Sequence, residues 1–60
     1  MFFVHFVHVT YLCTEYFDDD VSATWHMTFD GTDDELLDYI EYQHQDDISI
    51  YGMYYTVTAA

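Results

Sequence analysis

The chain contains no lysine and no arginine among its 60 residues, whereas it has twelve aspartates and glutamates and a formal net charge of −12. A protein that binds nucleic acid needs cations that displace the counterions of the phosphates, and binding to an anionic membrane surface needs basic side chains too. We therefore expect neither nucleic acid nor a membrane as partner. Because the carboxylates repel one another, this charge favours a strongly basic partner protein.

Cysteine is nearly absent as well, since Cys13 is the only one. No intrachain disulfide can form, and we expect Cys13 to act as a small buried hydrophobic residue. A domain of this size buries only about 60% of its unfolded surface. Small domains that lack disulfides and bound metals are often stabilised by oligomerisation. We predict a single domain spanning residues 1–60 that forms a homodimer.

Targeting features are also missing. The N-terminal run has no positive residues and no small-residue cleavage site, which argues against a signal peptide. No apolar run reaches the length of a membrane helix. We therefore predict a cytoplasmic location with a reduced Cys13.

The N-terminal stretch Phe2–Cys13 consists mainly of aromatic and β-branched residues, which favour strands. Both of its alternating faces are apolar, which predicts a central strand covered on both sides, and the strand can extend to Phe17. Asp18–Asp20 then predicts a hairpin turn. Val21–Phe29 alternates apolar and polar residues, which is typical of a strand with one buried and one solvent-exposed face.

Thr32 and Glu35 have the spacing of a capping box, which predicts a helix from Asp33 to about Gln45. A period of 3.6 residues gives this helix an apolar face inward and a carboxylate row outward, with tyrosines on one flank. The inward face carries Leu36, Leu37, Ile40 and His44; the outward row carries Asp34, Asp38, Glu41 and Gln45; the flank carries Tyr39 and Tyr42.

Asp46-Asp47 predicts a turn, and Ile48–Thr58 predicts a third strand in which Gly52 marks a bulge or a close approach. The expected fold is α+β, a three-stranded antiparallel sheet of β-β-α-β order with spatial order 2-1-3 and one helix on one face. The other face would expose aromatic residues. We expect the homodimer to form through that face or through the edge of the third strand.

The sequence offers little for metal binding or catalysis. His5 and His8 would point to opposite faces of a strand, Asp18–Asp20 lacks the EF-hand pattern, and a zinc site needs more ligands than His26 and His44 provide. No nucleophile motif surrounds Cys13, and so thin a fold rarely encloses an acid–base site. We expect no metal, no cofactor and no enzymatic activity.

Carboxylates spaced along a helix resemble a line of phosphates, and phosphate contacts supply much of the affinity of DNA-binding proteins. Four stretches carry a resemblance to a known family, namely Val9-Thr10-Tyr11-Leu12, Asp18-Asp19-Asp20, Trp25-His26 and Asp33-Asp34-Glu35. In order and spacing they resemble the short, dimeric type of phage-encoded uracil-DNA glycosylase inhibitor, and the resemblance spans most of the chain. The chain departs from that family in lacking Lys and Arg and in its longer aromatic first strand.

The resemblance implies a DNA-mimic inhibitor that acts in the host cytoplasm on a basic DNA-binding enzyme, most directly uracil-DNA glycosylase. It also implies that acidic side chains imitate phosphates and that a hydrophobic pocket of the dimer captures an apolar side chain of the target. Carried over, the phosphate mimics are Asp33, Asp34, Glu35, Asp38 and Glu41, and the pocket draws on Leu37, Tyr39 and Tyr42.

A second hypothesis is a non-catalytic interaction module, antitoxin-like or another anti-defence inhibitor, whose acidity mainly gives solubility. Its affinity would come from an exposed strand edge or aromatic face. It predicts weak salt dependence and sensitivity to changes at Tyr51, Tyr54 and Tyr55.

Overall fold

The computed structural model describes residues 8–60 and confirms the α+β class. Its three strands form an antiparallel sheet in the order β2-β1-β3, as expected from the sequence. In chain order the elements are β1 (Val9–Phe17), β2 (Asp20–Phe29), α1 (Asp33–Gln43), α2 (Gln45–Tyr51) and β3 (Tyr54–Ala59).

Strand β1 is the central strand, as predicted. Its residue Cys13 lies opposite Trp25 of β2 and Val57 of β3. The strand begins at Val9, so most of the apolar stretch predicted to start at Phe2 lies outside the described residues, and its structure stays a prediction. The predicted extension to Phe17 is confirmed.

The β1–β2 hairpin closes through a two-residue turn at Asp18 and Asp19, whose φ angles are 54° and 64°. Positive φ at both central residues is the signature of a type I′ turn, whose twist suits a hairpin. Phe17 and Asp20 form the closing pair. The predicted turn is therefore confirmed, although Asp20 already belongs to β2.

Helix α1 begins with the predicted capping box. The Glu35 backbone N–H donates to Thr32 Oγ1 at 3.2 Å, and the Thr32 backbone N–H donates to Glu35 Oε1 at 3.0 Å. The helix ends at Gln43, two residues before the predicted end, because His44 leaves helical geometry with φ −114° and ψ 24°.

The predictions for residues 46–53 are wrong, because the chain forms the second helix α2 where a turn and the start of a strand were expected. Asp46 and Asp47 lie in the first turn of α2, where carboxylates stabilise the positive end of the helix dipole. Gly52 has φ 66° and caps the helix in the left-handed conformation, a common way to end a helix. It is therefore neither a strand bulge nor a close contact.

Both helices cover one face of the sheet, around a core to which residues 8–60 contribute five buried hydrophobic residues. These are Tyr11, Cys13, Leu36, Ile40 and Tyr55. The Tyr11 hydroxyl donates to the Gly31 carbonyl oxygen at 2.5 Å and so fixes the loop before α1. Trp25, Met27 and Phe29 are half-buried against this core, whereas Val21 and Ala23 at the hairpin end of β2 are exposed.

Within residues 8–60, the opposite face of the sheet carries fewer aromatic residues than the sequence predicts. Tyr16 and Tyr54 stack there with ring centroids 4.7 Å apart. Alternation along the strands makes most of the remaining described positions threonine, namely Thr10, Thr14, Thr24, Thr28, Thr56 and Thr58. The described part of this face therefore offers less apolar surface for the expected dimer. Among residues 8–60, neither helix has the length and apolar character needed to cross a bilayer.

Candidate functional site

The predicted phosphate mimics lie along α1. Asp33, Asp34, Glu35 and Asp38 are exposed, whereas Glu41 is half-buried. At 1.5 Å of rise per residue, the five carboxylates lie within about 12 Å of helix axis. The structure thus brings the predicted acidic residues together on one element.

Two of these carboxylates also hold the start of α1. Glu35 accepts both the backbone N–H and the hydroxyl of Thr32, and these bonds lower the pKa of Glu35. Asp33 Oδ1 accepts the Asp34 backbone N–H at 2.9 Å. A substitution at Glu35 or Asp33 would therefore change the helix start as well as the charge.

The other three carboxylates of α1 are those of Asp34, Asp38 and Glu41. Within residues 8–60 they make no hydrogen bond and no ion pair. With no Lys or Arg in the chain, their charge is available to a cation from outside. We call Asp34, Asp38 and Glu41 the α1 carboxylate row.

The three residues predicted to form a hydrophobic pocket lie in different surroundings. Leu37 is half-buried and packs against the core, Tyr39 stacks on Phe29 with ring centroids 6.2 Å apart, and Tyr42 is 73% exposed. Tyr39 and Tyr42 are both exposed to solvent, and the pocket of the dimer stays a prediction.

Two further acidic clusters lie at the start of α2 and at the tip of the β1–β2 hairpin. Asp46 and Asp47 begin α2, and Asp47 Oδ2 lies 3.7 Å from His44 Nδ1. Asp18 and Asp19 occupy the hairpin tip. Since Gly31, which precedes α1, is hydrogen-bonded near the other end of β1, the hairpin acids and the first turn of α1 lie at opposite ends of the molecule.

One candidate binding groove was not predicted from the sequence. A shallow groove of about 440 Å³ lies at the hairpin end, lined by Glu15, Phe17, Ser22, Asp47, Tyr51 and Met53. The only signal in the sequence was Glu15 itself, a single charge inside an otherwise uncharged strand. The groove forms between α2 and the β1–β2 hairpin, and α2 was not predicted from the sequence.

Glu15 is fixed by two hydroxyl groups. Ser22 Oγ donates to Glu15 Oε1 at 2.5 Å, and Tyr55 Oη donates to Glu15 Oε2 at 2.9 Å. Burial, followed by the hydrogen bond and the negative charge of Glu15, raises the pKa of Tyr55 to about 12. Because Tyr55 is only 4% exposed, it belongs to the core and cannot be a contact residue of the alternative interaction module.

The histidines and the cysteine form no metal site in the part of the chain that the structure describes. His8 and Asp30 form an exposed pair at 2.9 Å, and His44 stacks on Tyr55 at 5.1 Å. His26 alternates with Trp25 and so points away from the helices, which separates it from His44 by the sheet. Burial raises the pKa of Cys13, which opposes formation of the thiolate that a nucleophile needs. His5 lies outside the described residues.

No protein-family model matches the chain, and neither the curated proteins nor the solved structures include a significant match to it.

Proposed function

We propose that this protein is an acidic DNA mimic, a non-catalytic inhibitor that occupies the DNA-binding surface of a basic enzyme, with uracil-DNA glycosylase as the first target. The observation that carries the proposal is the α1 carboxylate row, which makes no hydrogen bond or ion pair with the described residues 8–60, in a chain that has no Lys or Arg. A DNA-binding surface supplies the missing cations, since it neutralises phosphates with Lys and Arg.

The charge density of α1 supports this proposal. Along one strand of duplex DNA, successive phosphates advance about 3.4 Å on the helix axis. The five carboxylates from Asp33 to Glu41 advance on average about 3 Å at 1.5 Å per residue. A groove that accepts a DNA strand would therefore meet a comparable number of negative charges along α1.

Apolar contacts next to the row would supply short-range affinity. Charge mainly steers association and selects the partner, whereas buried aromatic residues commonly dominate binding energy. Tyr42 is 73% exposed and Tyr39 is 46% exposed, and both lie on the same helix as the row. These tyrosines would contact the target, within the predicted homodimer.

The test is a titration of the protein into a uracil-DNA glycosylase assay on a uracil-containing oligonucleotide, at low and at moderate salt. The expected result is stoichiometric inhibition that weakens with salt, because the ionic contacts are screened. Absence of inhibition at both salt concentrations would reject this target. Binding that is insensitive to salt would instead favour the interaction module, in which the acidity only gives solubility.

A pair of charge-matched variants separates the row from bulk charge. The triple change D34N/D38N/E41Q removes three charges from α1 and leaves the cap residue Glu35 intact. The control D18N/D19N/D20N removes three charges at the hairpin end, and asparagine tolerates the positive φ of that turn. We expect the first variant to lose inhibition and the second to keep it. Equal loss in both would show that net charge alone is responsible.

A further inference from the structure

The hairpin-end groove combines apolar walls with two carboxylates. Phe17 and Tyr51 pack edge to face with ring centroids 6.4 Å apart, and Met53 completes the apolar lining. Glu15 and Asp47 contribute the carboxylates. Phe17 is 46% exposed and Tyr51 is 60% exposed, so the aromatic rings are accessible to a ligand.

The carboxylate of Glu15 is fixed but only half-satisfied. Each of its two oxygens accepts one hydroxyl, from Ser22 and from Tyr55. A carboxylate has about four lone-pair sites, so each oxygen keeps one. Two parallel acceptors on a rigid carboxylate match the paired N–H groups of a guanidinium.

Charge and shape favour arginine over the other cations. The chain has no Lys or Arg that could neutralise Glu15 from within. A guanidinium is planar, is weakly hydrated and stacks on aromatic rings, whereas the ammonium of lysine is a strongly hydrated point charge. The faces of Phe17 and Tyr51 would attract such a cation through their quadrupoles.

We propose that the hairpin-end groove binds the side chain of an arginine presented by a partner protein. The guanidinium pairs with Glu15, lies against Phe17 and Tyr51, and is further attracted by Asp47. The groove is distinct from the α1 carboxylate row, and the site requires only an exposed arginine. It therefore goes beyond the proposed function and does not depend on the identity of the enzyme.

The test uses Nα-acetyl-arginine amide as the probe and follows backbone amides by two-dimensional ¹H–¹⁵N NMR at low ionic strength. We expect saturable shifts at Phe17, Ser22, Tyr51 and Met53. The lysine amide should bind more weakly, and the citrulline amide, a neutral analogue of arginine, should give no saturable shift. A citrulline affinity equal to that of arginine, or a lysine affinity equal to or above it, would overturn the proposal.

Two matched pairs of variants locate the site. E15Q should weaken arginine binding about tenfold, as expected for a lost charged hydrogen bond, while D30N removes the same charge in the loop before α1, where Asp30 is exposed, and should leave binding unchanged. Y51L should weaken it about two- to fivefold through loss of the cation–π contact, while Y16L, on the opposite face of the sheet, should not.

Equal weakening by E15Q and D30N, or shifts spread evenly over α1 and the groove, would show diffuse attraction to an acidic surface and would overturn the proposal. If E15Q does not fold, the spectrum shows it directly, and the Y51L and Y16L pair then decides. Because the readout uses no enzyme, a failure of glycosylase inhibition leaves this test unaffected.

Discussion

At the residue scale, stability depends on very few side chains. Leu36 is fully buried and Cys13 is 1% exposed, and they belong to the five buried hydrophobic residues found among residues 8–60. A domain of 60 residues has a free energy of unfolding of about 3–9 kcal/mol on the usual scale per residue. Each core side chain therefore accounts for a large fraction of the total.

Leu36→Ala should lower the free energy of unfolding by about 2–5 kcal/mol, because it removes buried methyl groups and leaves a cavity. Urea denaturation followed by circular dichroism measures this loss. The control Ile50→Ala, at a site 67% exposed, should change stability by less than about 0.5 kcal/mol. Equal effects at both positions would contradict the assignment of the core.

The protein should lose stability at alkaline pH through Tyr55. Its pKa in the folded state is raised to about 12, whereas the pKa of a free tyrosine is about 10. The native state thus holds this proton more tightly, so the stabilising contribution is complete below about pH 10 and is lost as the pH rises towards about 12. Urea midpoints measured across this range should fall.

Tyr55→Phe removes the ionisable hydroxyl and should flatten this alkaline fall, at the expense of the hydrogen bond to Glu15. Some slope should remain, because burial, followed by the nearby negative charge of Asp19, also raises the pKa of Tyr54. Tyr42→Phe, at an exposed position, should keep the full alkaline fall in stability of the unsubstituted protein. An unchanged slope in Tyr55→Phe would refute the role of Tyr55.

At the scale of elements, local signals determined where α1 starts and where the hairpin turns. The capping box and the pair Asp18-Asp19 act over three or four residues, and both were predicted from the sequence. Helix α2 was not, because the segment Ile48–Tyr51 has strand-like residues, and its conformation depends on the packing of Ile48 against the core.

Thr32→Ala should destabilise α1 by about 0.5–2 kcal/mol, the usual cost of losing an N-cap side chain. It should also raise the pKa of Glu35 in part, since the bond from the Thr32 backbone N–H, the larger cause of the lowered pKa, remains and only the bond from the Thr32 hydroxyl is lost. The stability linked to Glu35 is present above its unfolded pKa and is lost as the pH falls through the folded value. NMR titration of Glu35 checks this, with Thr58→Ala as the control that should leave it unchanged.

Asp19→Gly should stabilise the hairpin by up to about 1 kcal/mol, because a left-handed backbone costs an L-residue about that much and glycine little. The φ of Asp19 is 64°. The control Asp19→Ala loses the same carboxylate but keeps the steric cost of the left-handed backbone, so it should destabilise the protein. Thermal unfolding of both variants distinguishes them, and the same sign of change in both would be inconsistent with a type I′ turn.

At the scale of the whole molecule, the net charge of −12 opposes the compact state by self-repulsion. Raising the ionic strength from about 0.01 M to about 0.15 M shortens the Debye length from about 30 Å to about 8 Å. The free energy of unfolding should therefore increase over this range of salt, as measured by urea denaturation. The variant D18N/D19N/D20N should show a smaller increase in the free energy of unfolding. A decrease with salt in the unsubstituted protein would refute the destabilisation by self-repulsion.

Residue types and their spacing predict the charge, the antiparallel order of the three strands, the hairpin turn and the start of α1. These depend on composition, on alternation and on short-range hydrogen bonds, all of which are readable along the chain. The same signals predict that the acidic residues of the candidate site lie on one helix. The end of α1, the existence of α2 and the burial of Tyr55 follow instead from tertiary packing.

The groove shows why the rest could not be predicted. Glu15 belongs to β1 and Asp47 to α2, and they line one groove only because α2 packs beside the hairpin end of the sheet. Tyr55 meets Glu15 across 40 positions of the chain. Such contacts depend on how elements pack on one another, and residue spacing along the sequence carries no information about that packing.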